Sequence, residues 1–369
     1  MRLTIDRLKF LDAFKIVSSV APTRSNNPAL QNVKLEAGDG GAVLSATDTE
    51  IGIRHDLISV SIDIQGKALL PVSRVLSILR ESPDKKLVIE VISKGVNISG
   101  ERSNFSLPMA DLGHFVDVDP FSDEDYHEVP AGFLKDIIHR TIFATDNESS
   151  RYALSGVLFE LNEGDLIAVG TDGRRLAKMQ CLSQSIGVHE TSKPAIVPKR
   201  VMQLIDRALL GEESPVRLSI GGNDIVIKSG SVTICARLVE GRFPKWREVF
   251  PRHHDSTQMD LHAGKFYSAV RQAAIVTSEE SRGIDCIFGL GKAILSGEAA
   301  ETGQSRIEMP IEYDGKPITL TLDPKYMSDF LKVLDAEKTF SLEVKDAKSA
   351  AICTTDDGYG YVIMPMARQ

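Results

Sequence analysis

The sequence predicts an α+β protein assembled from three copies of one domain, each holding about two helices against antiparallel sheet. Two observations predict it. A strand ending in an aliphatic residue, then proline with a basic residue close behind, then an apolar helix occurs at Leu69-Leu70-Pro71-Val72-Ser73-Arg74, at Ile196-Val197-Pro198-Lys199-Arg200 and at Leu322-Asp323-Pro324-Lys325. From Leu69 to Ile196 is 127 positions and from Ile196 to Leu322 is 126, a regularity that marks internal repetition.

Each element of a repeat follows from local chemistry. Proline suits the first turn of a helix, where its missing N–H has no partner to lose, so each marker reads as a strand-to-helix junction. A second helix precedes each marker: residues 8–17, 133–140 and 266–275 carry apolar side chains at spacings of three and four. Between the helices come short β-branched runs broken by Gly, Asn and Asp, such as 96–107 and 224–235, which read as hairpins. Thr47-Asp48-Thr49-Glu50 echoes Thr171-Asp172-Gly173-Arg174, and the third copy lacks the phrase. An echo in a second repeat argues for a structural strand end rather than an acid held by a guanidinium clamp. Acidic 119–128 and polar 251–258 read as linkers, which sets the domains at 1–121, 128–251 and 257–369.

Composition fits a soluble globular chain: 42% of 369 residues are hydrophobic and 25% charged, enough for two or three cores. Met1-Arg2-Leu3-Thr4-Ile5-Asp6 opens no apolar leader and no run approaches a membrane span, so a cytoplasmic protein is expected. Cys181, Cys235, Cys286 and Cys353 form no CxxC pair and read as buried thiols. His253-His254 point to opposite faces of an extended segment, and Asp356-Asp357-Gly358 reads as a hairpin turn, so no metal site is expected. The phosphate-binding, dinucleotide, metalloprotease, nucleophile-elbow and calcium-loop motifs are all missing. No catalytic residue and no cofactor is expected.

Charge separates the helices from the rest. The chain totals −8, yet the six segments 7–15, 71–80, 130–142, 198–208, 263–276 and 324–335 hold 14 Lys and Arg against 5 Asp and Glu. They carry +9 and everything else −17. Six such helices lining one surface would attract phosphate on an otherwise acidic body. They lack the interleaved aromatics of single-strand platforms, leaving backbone-directed contact with duplex.

Four phrases resemble the bacterial sliding clamps, the beta subunits of DNA polymerase III. They are Arg151-Tyr152-Ala153-Leu154-Ser155-Gly156, Thr171-Asp172-Gly173-Arg174-Arg175-Leu176-Ala177, Leu238-Val239-Glu240-Gly241-Arg242-Phe243-Pro244 with Trp246, and Tyr361-Val362-Ile363-Met364-Pro365-Met366. The resemblance spans essentially the whole chain. It implies a head-to-tail homodimer closing into a ring of six domains. Double-stranded DNA would pass through it without sequence preference, and the ring would tether the replicative polymerase for processive synthesis with no chemistry of its own. Implied DNA contacts are Arg24, Arg74, Arg151, Tyr152, Lys199 and Arg200.

Implied partners are the polymerase III alpha subunit, other polymerases and the clamp loader, each inserting a short peptide into a groove. Matching groove positions are Leu154, Thr171, Gly173, Arg175, Leu176, Pro244, Val249, Tyr326, Val362, Met364, Pro365 and Met366. Methionines give such a pocket adaptability, and Arg175 is expected to orient the peptide. The tail departs from the family, ending Met366-Ala367-Arg368-Gln369 where relatives usually finish Met-Arg-Leu. Glu248 replaces a basic residue of some members, and Ser281 an aromatic one.

Overall fold

The computed structural model describes residues 1–369 apart from 59, 94, 147–151, 163, 188–193, 210–214, 251–255, 279–281 and 367–369. Its first repeat runs β1 (Arg2–Asp6), α1 (Arg7–Ser18), β2 (Asn32–Gly38), β3 (Gly41–Thr47), β4 (Ile51–Leu57), β5 (Val60–Ile64), β6 (Gly66–Pro71), α2 (Val72–Glu81), β7 (Lys86–Ile92), β8 (Gly95–Ser99) and β9 (Asn104–Leu107). The second runs β10 (Tyr126–Pro130), α3 (Ala131–Thr141), β11 (Gly156–Leu161), β12 (Asp165–Thr171), β13 (Arg175–Leu182), β14 (Gln184–Ile186), β15 (Ala195–Pro198), α4 (Lys199–Ala208), β16 (Pro215–Gly221), β17 (Asp224–Ser229), β18 (Val232–Arg237) and a short α5 (Trp246–Val249). The third runs β19 (Thr257–His262), α6 (Ala263–Ala273), β20 (Ile284–Gly289), β21 (Lys292–Ala299), β22 (Gly303–Pro310), β23 (Ile318–Leu322), α7 (Pro324–Leu331), β24 (Thr339–Val344), β25 (Ala351–Thr354) and β26 (Gly360–Ile363). The expected two helices per repeat are there, and the one-turn α5 is an addition that its Gly- and Pro-rich surroundings hid.

Repetition extends to strand order. The neighbours β1-β7-β8-β9 recur as β10-β16-β17-β18 and as β19-β24-β25-β26, while β6-β2-β3-β4 recurs as β15-β11-β12-β13 and β23-β20-β21-β22. All pairings are antiparallel. The turn phrases also match atom for atom. Thr47 Oγ1 donates to Ile51 O at 2.9 Å and Thr171 Oγ1 to Arg175 O at 2.6 Å. Asp48 and Asp172 each accept the two amides that close the turn. Gly173 supplies the left-handed φ of +87°, and Thr49 adopts +80° at the same place.

Of the three junctions, the third alone has its proline in the first helical turn, as expected of each. Pro71 caps α2 from outside and Pro198 ends its strand, whereas Pro324 lies inside α7 behind Asp323. The third marker is thus displaced by one residue, because Asp323 takes the cap and accepts the Lys325 N–H at 2.8 Å. Asp6 does the same for α1, accepting Leu8 and Lys9 N–H at 3.1 Å each.

The chain divides into two compact units, residues 1–134, 183–191 and 203–238, and residues 135–182, 192–202 and 239–369. The first unit holds the five-stranded sheet β5-β1-β7-β8-β9 and a nine-stranded sheet in which β18 of the second repeat pairs with β4 of the first. Phe10 and Phe14 stack beneath it from α1, amid fully buried Leu3, Ile5, Leu35 and Leu44. The second unit holds an eight-stranded sheet, with β13 of the second repeat paired to β26 of the third, and the four-stranded β22-β21-β20-β23. Its core is an aromatic chain: Phe330 stacks on Tyr361 at 4.9 Å and on Tyr359 at 5.6 Å, and meets Phe340 edge-on at 5.3 Å. Each such ring removed from water contributes about 2 kcal/mol.

Candidate peptide groove and basic helix faces

The groove positions all fall in the second unit. The structure sorts them by depth. Leu176 on β13 lies opposite Val362 on β26, and both are buried with Leu158, Val169 and Ile196 under Trp246. Leu154 and Thr171 are buried too. Gly173, Pro244, Val249 and Met364 are exposed, and Tyr326, Pro365 and Met366 half-buried. In the expected groove the buried set would be the floor and the exposed set the wall. Two crevices bracket the Leu176–Val362 pair. One, of about 520 Å³, lies beside Pro244 and Trp246; the other, of about 300 Å³, is lined by Tyr326, Met364, Pro365 and Met366.

Arg175 departs from expectation. Its side chain is buried at 8% exposure, and its guanidinium donates to Asp172 at 3.0 Å, Asp329 at 2.7 Å and the Phe143 carbonyl at 2.7 Å. It also lies over the Tyr326 ring at 4.3 Å. Burial alone would lower its pKa, yet Asp329 and Asp172 hold the guanidinium charged beyond the usual arginine range. Its donors are engaged inside the unit, where Arg175 ties the Thr171 turn to α7. The residue facing solvent is its neighbour Arg174, whose carbonyl accepts the Met364 N–H at 3.0 Å. The strand begins at Arg175, while Arg174 is still in the turn. Arg282, at the rim of the smaller crevice, carried no sequence signal.

In the first unit Arg24, in the loop after α1, and Arg74, on α2, are both exposed. In the second, Arg200 is exposed whereas Lys199 is half-buried, its charge disfavoured by burial and by Arg175. Arg151 and the Tyr152 side chain, the 367–369 tail, Ser281 and His253-His254 lie outside the described residues. Every long helix shows a cation at the surface: Lys9 and Lys15, Arg74 and Arg80, Lys135, Arg200, Lys265 and Arg271, Lys325. No cluster of three metal-ligating side chains occurs among the described residues, and no described helix is long and apolar enough to cross a membrane. The four cysteines are free thiols, and burial pushes Cys181 and Cys286 up to about 12.

Three domain descriptions of one family match in order: DNA polymerase III beta subunit, N-terminal domain at 1–119, central domain at 128–245 and C-terminal domain at 247–367. Among curated relatives, the beta sliding clamp of Vibrio cholerae is 28% identical over 370 residues, covering 99% of this chain and 100% of its own. That of Escherichia coli K12 is 27% identical over 375 residues with the same coverage. Among solved structures, the DNA polymerase III subunit beta of Pseudomonas aeruginosa superposes with a TM-score of 0.92 at 26% identity, each chain covered fully. The Bacillus subtilis sliding clamp, at 20% identity and TM-score 0.92, shares the fold.

Proposed function

Because the chain belongs to the DNA polymerase III beta subunit family, we propose that two copies close head to tail around duplex DNA and slide along it, holding the replicative polymerase to its template. Its function is that of a DNA sliding clamp. The encircling mechanism and the partners below are our reading. The observation that carries ring closure is the state of Phe105. Counting along the ladders from Asp6, Pro130 and His262, Phe105 of β9 corresponds to Ile234 of β18 and Tyr361 of β26. Ile234 lies opposite Ile53 and Tyr361 opposite Ala177, and all four are buried. Phe105 is 37% exposed because β9 ends its sheet.

The counterpart of β4 and β13 in the third repeat is β22, which also ends its sheet. Ser305 there holds the place of Ile53 and Ala177. Ser305 donates to the Ala273 carbonyl at 2.9 Å, beside the 78% exposed Ile275. An unpaired strand with an exposed apolar residue is an aggregation hazard unless a partner covers it. A second copy's β22 placed against β9 repeats a joint that the chain already builds twice, and two such joints close a ring.

Once the ring is closed, topology retains the DNA and affinity need not. Diffuse phosphate contacts from the helix cations, Arg24, Arg74 and Arg200 among them, hold no register and permit sliding. Polymerase III alpha subunit, other polymerases and the clamp loader dock by peptides in the groove of the second unit, so processivity comes from raised effective concentration. The three domains are placed at 1–121, 128–251 and 257–369, the protein works in the cytoplasm, and it carries no active site or cofactor. The test is retention on nicked circular DNA after loading. Protein that stays on the circle and leaves when the circle is linearised supports encirclement; equal retention on both, or on neither, refutes it.

A further inference from the structure

The segment joining the first repeat to the second has a counterpart in the one joining the second to the third. Gly113-His114-Phe115-Val116-Asp117-Val118 and Gly241-Arg242-Phe243-Pro244-Lys245-Trp246 share a glycine, a phenylalanine two positions on and an apolar residue three beyond that. In the second unit this strap is held by rings. Trp246 is buried with Leu158, Leu176, Ile196 and Val362, Phe243 packs against the same cluster, and a Cβ on Gly360 would stand 2.4 Å from the Phe250 ring. In the first unit the apolar bed is gone. Counting from the matched Thr47 and Thr171 turns, Lys34 holds the place of Leu158, Gly52 that of Leu176 and Cys235 that of Val362. Val118 sits in the gap, since a Cβ on Gly52 would meet both its methyl groups at 2.9 Å.

Charge holds the first strap instead. Lys34 is buried, and its ammonium is bound by Glu36 at 3.0 Å and by Asp117, with the Phe115 ring 5.8 Å away. Burial alone would disfavour that charge, yet Asp117 and Glu36 keep the Lys34 pKa above the usual lysine range. At the other end Asp123 accepts from Arg217 at 2.6 Å and from Lys228 at 3.4 Å. Lys34 stands on β2 and Arg217 on β16, and the sheet between them runs β2-β3-β4-β18-β17-β16. The strap passes these strands in turn: Val118 against Gly52 of β4, the Asp119 carbonyl at Cys235 of β18, Phe121 beside Lys228 of β17. From β2 to β16 is five strand spacings, about 24 Å, and from Asp117 to Asp123 is six steps of chain, about 20 Å when extended. The strap therefore has little slack beyond the reach of its side chains, and widening the β4–β18 seam must break one of its ends. We propose that residues 113–123 form an ionic latch across the seam between the first two repeats, with Lys34 and Arg217 as its catches, and that the latch keeps this joint shut. It acts within one chain, whether or not two copies meet.

Amide hydrogen exchange of the full-length protein, read by mass spectrometry, tests the latch on two variants chosen to keep the fold. In Lys34→Met, Glu36 retains Lys67 at 3.0 Å and Asp117 faces solvent; in Asp123→Asn, Arg217 retains Glu128 at 3.1 Å. The result expected from each is exchange about tenfold faster in 113–121 and, with it, in β4 and β18, while β1, β7 and β8 keep the parental rate. A strap that exchanges faster beside an unchanged seam is only a cover, and overturns the latch. So does a seam that answers to one variant and not the other, because a taut segment needs both ends. Parental exchange in both variants means that neither ion pair holds the joint. Protection lost across the whole first unit in both means that the pairs support general stability and not the seam; either result overturns the latch as well.

Discussion

Arg175 and Asp329, 154 positions apart in sequence, meet at 2.7 Å in the second unit, and the guanidinium that joins them also closes the Thr171 turn through Asp172. Asp329 belongs to α7, two helical residues after Met327 and one before Phe330, both fully buried. The turn that carries Gly173 and Arg174 is therefore tied to the helix that packs under Tyr361. The turn at the rim of the proposed groove is thus braced by a charge buried inside the unit.

Removing one member of that set should be costly because it leaves a buried charge without its partner. Arg175→Met is expected to destabilise the second unit by about 3 kcal/mol. Trp246, the single tryptophan of the chain and buried against Leu176, reports that unit's unfolding in urea. The loss for Asp329→Ala added to Arg175→Met should be smaller than the sum of the two. Full additivity would show that the pair is not coupled.

Met364→Ala with Met366→Ala should weaken a polymerase-tail peptide by about 2 kcal/mol, as loss of apolar anchors does. Met364 is 44% exposed and Met366 half-buried, so truncation removes ligand surface with little harm to the core. Calorimetry returning an unchanged affinity would sink the assignment.

The repeat architecture was legible because its signals are local. Prolines at the strand-to-helix junctions, period-three-and-four helices and the Thr-Asp turn phrase all act within a few residues. What the sequence hid is long-range: β18 joining β4, β13 joining β26, and the burial of Arg175 depend on which surfaces meet. The expected groove residues come from the resemblance, which says nothing of their depth. Leu176 and Val362 are buried under Trp246, and of two adjacent arginines the one in the turn, Arg174, is exposed while Arg175 on the strand is buried.

Exposed Arg24 and Arg74 are expected to act on DNA through phosphate alone. Substituting each by Ala should lower the slope of log K against log salt by about 0.9 and weaken all sequences alike. A double variant with the parent's slope, measured by fluorescence anisotropy on a short duplex, would remove both from the interface.

Acid should loosen the contact between Arg140 and Asp357, which stand 2.5 Å apart. Burial would raise the Asp357 pKa, but the Thr355 hydroxyl and Arg140 hold it below the usual carboxylate range. Its folded pKa is depressed, so its stabilisation is present above the unfolded value of about 4 and is lost as pH falls below that. The melting difference between the parent and Asp357→Asn should be present at neutral pH and shrink in acid. A difference that is constant with pH would argue against the pair.

The proposed joint between copies makes a prediction about register that is sharper than one about mass. If β9 meets β22 as β18 meets β4, Phe105 stands opposite Ser305 and Asn104 opposite Arg306, on alternate faces. Facing residues of an antiparallel pair have Cα atoms about 4.5 to 5.5 Å apart, within disulfide reach. Phe105→Cys with Ser305→Cys should therefore cross-link two copies under mild oxidation and run as a dimer on a denaturing gel. Phe105→Cys with Arg306→Cys places the thiols on opposite faces and should not, since a slip of one residue reverses every side chain. The parent, with three buried native cysteines and a half-buried Cys235, is the control for adventitious bonds. Equal yields from both pairs would mean a loosely specified edge, and cross-linking by the 306 pair alone would place the joint one residue away from the two that the chain already forms.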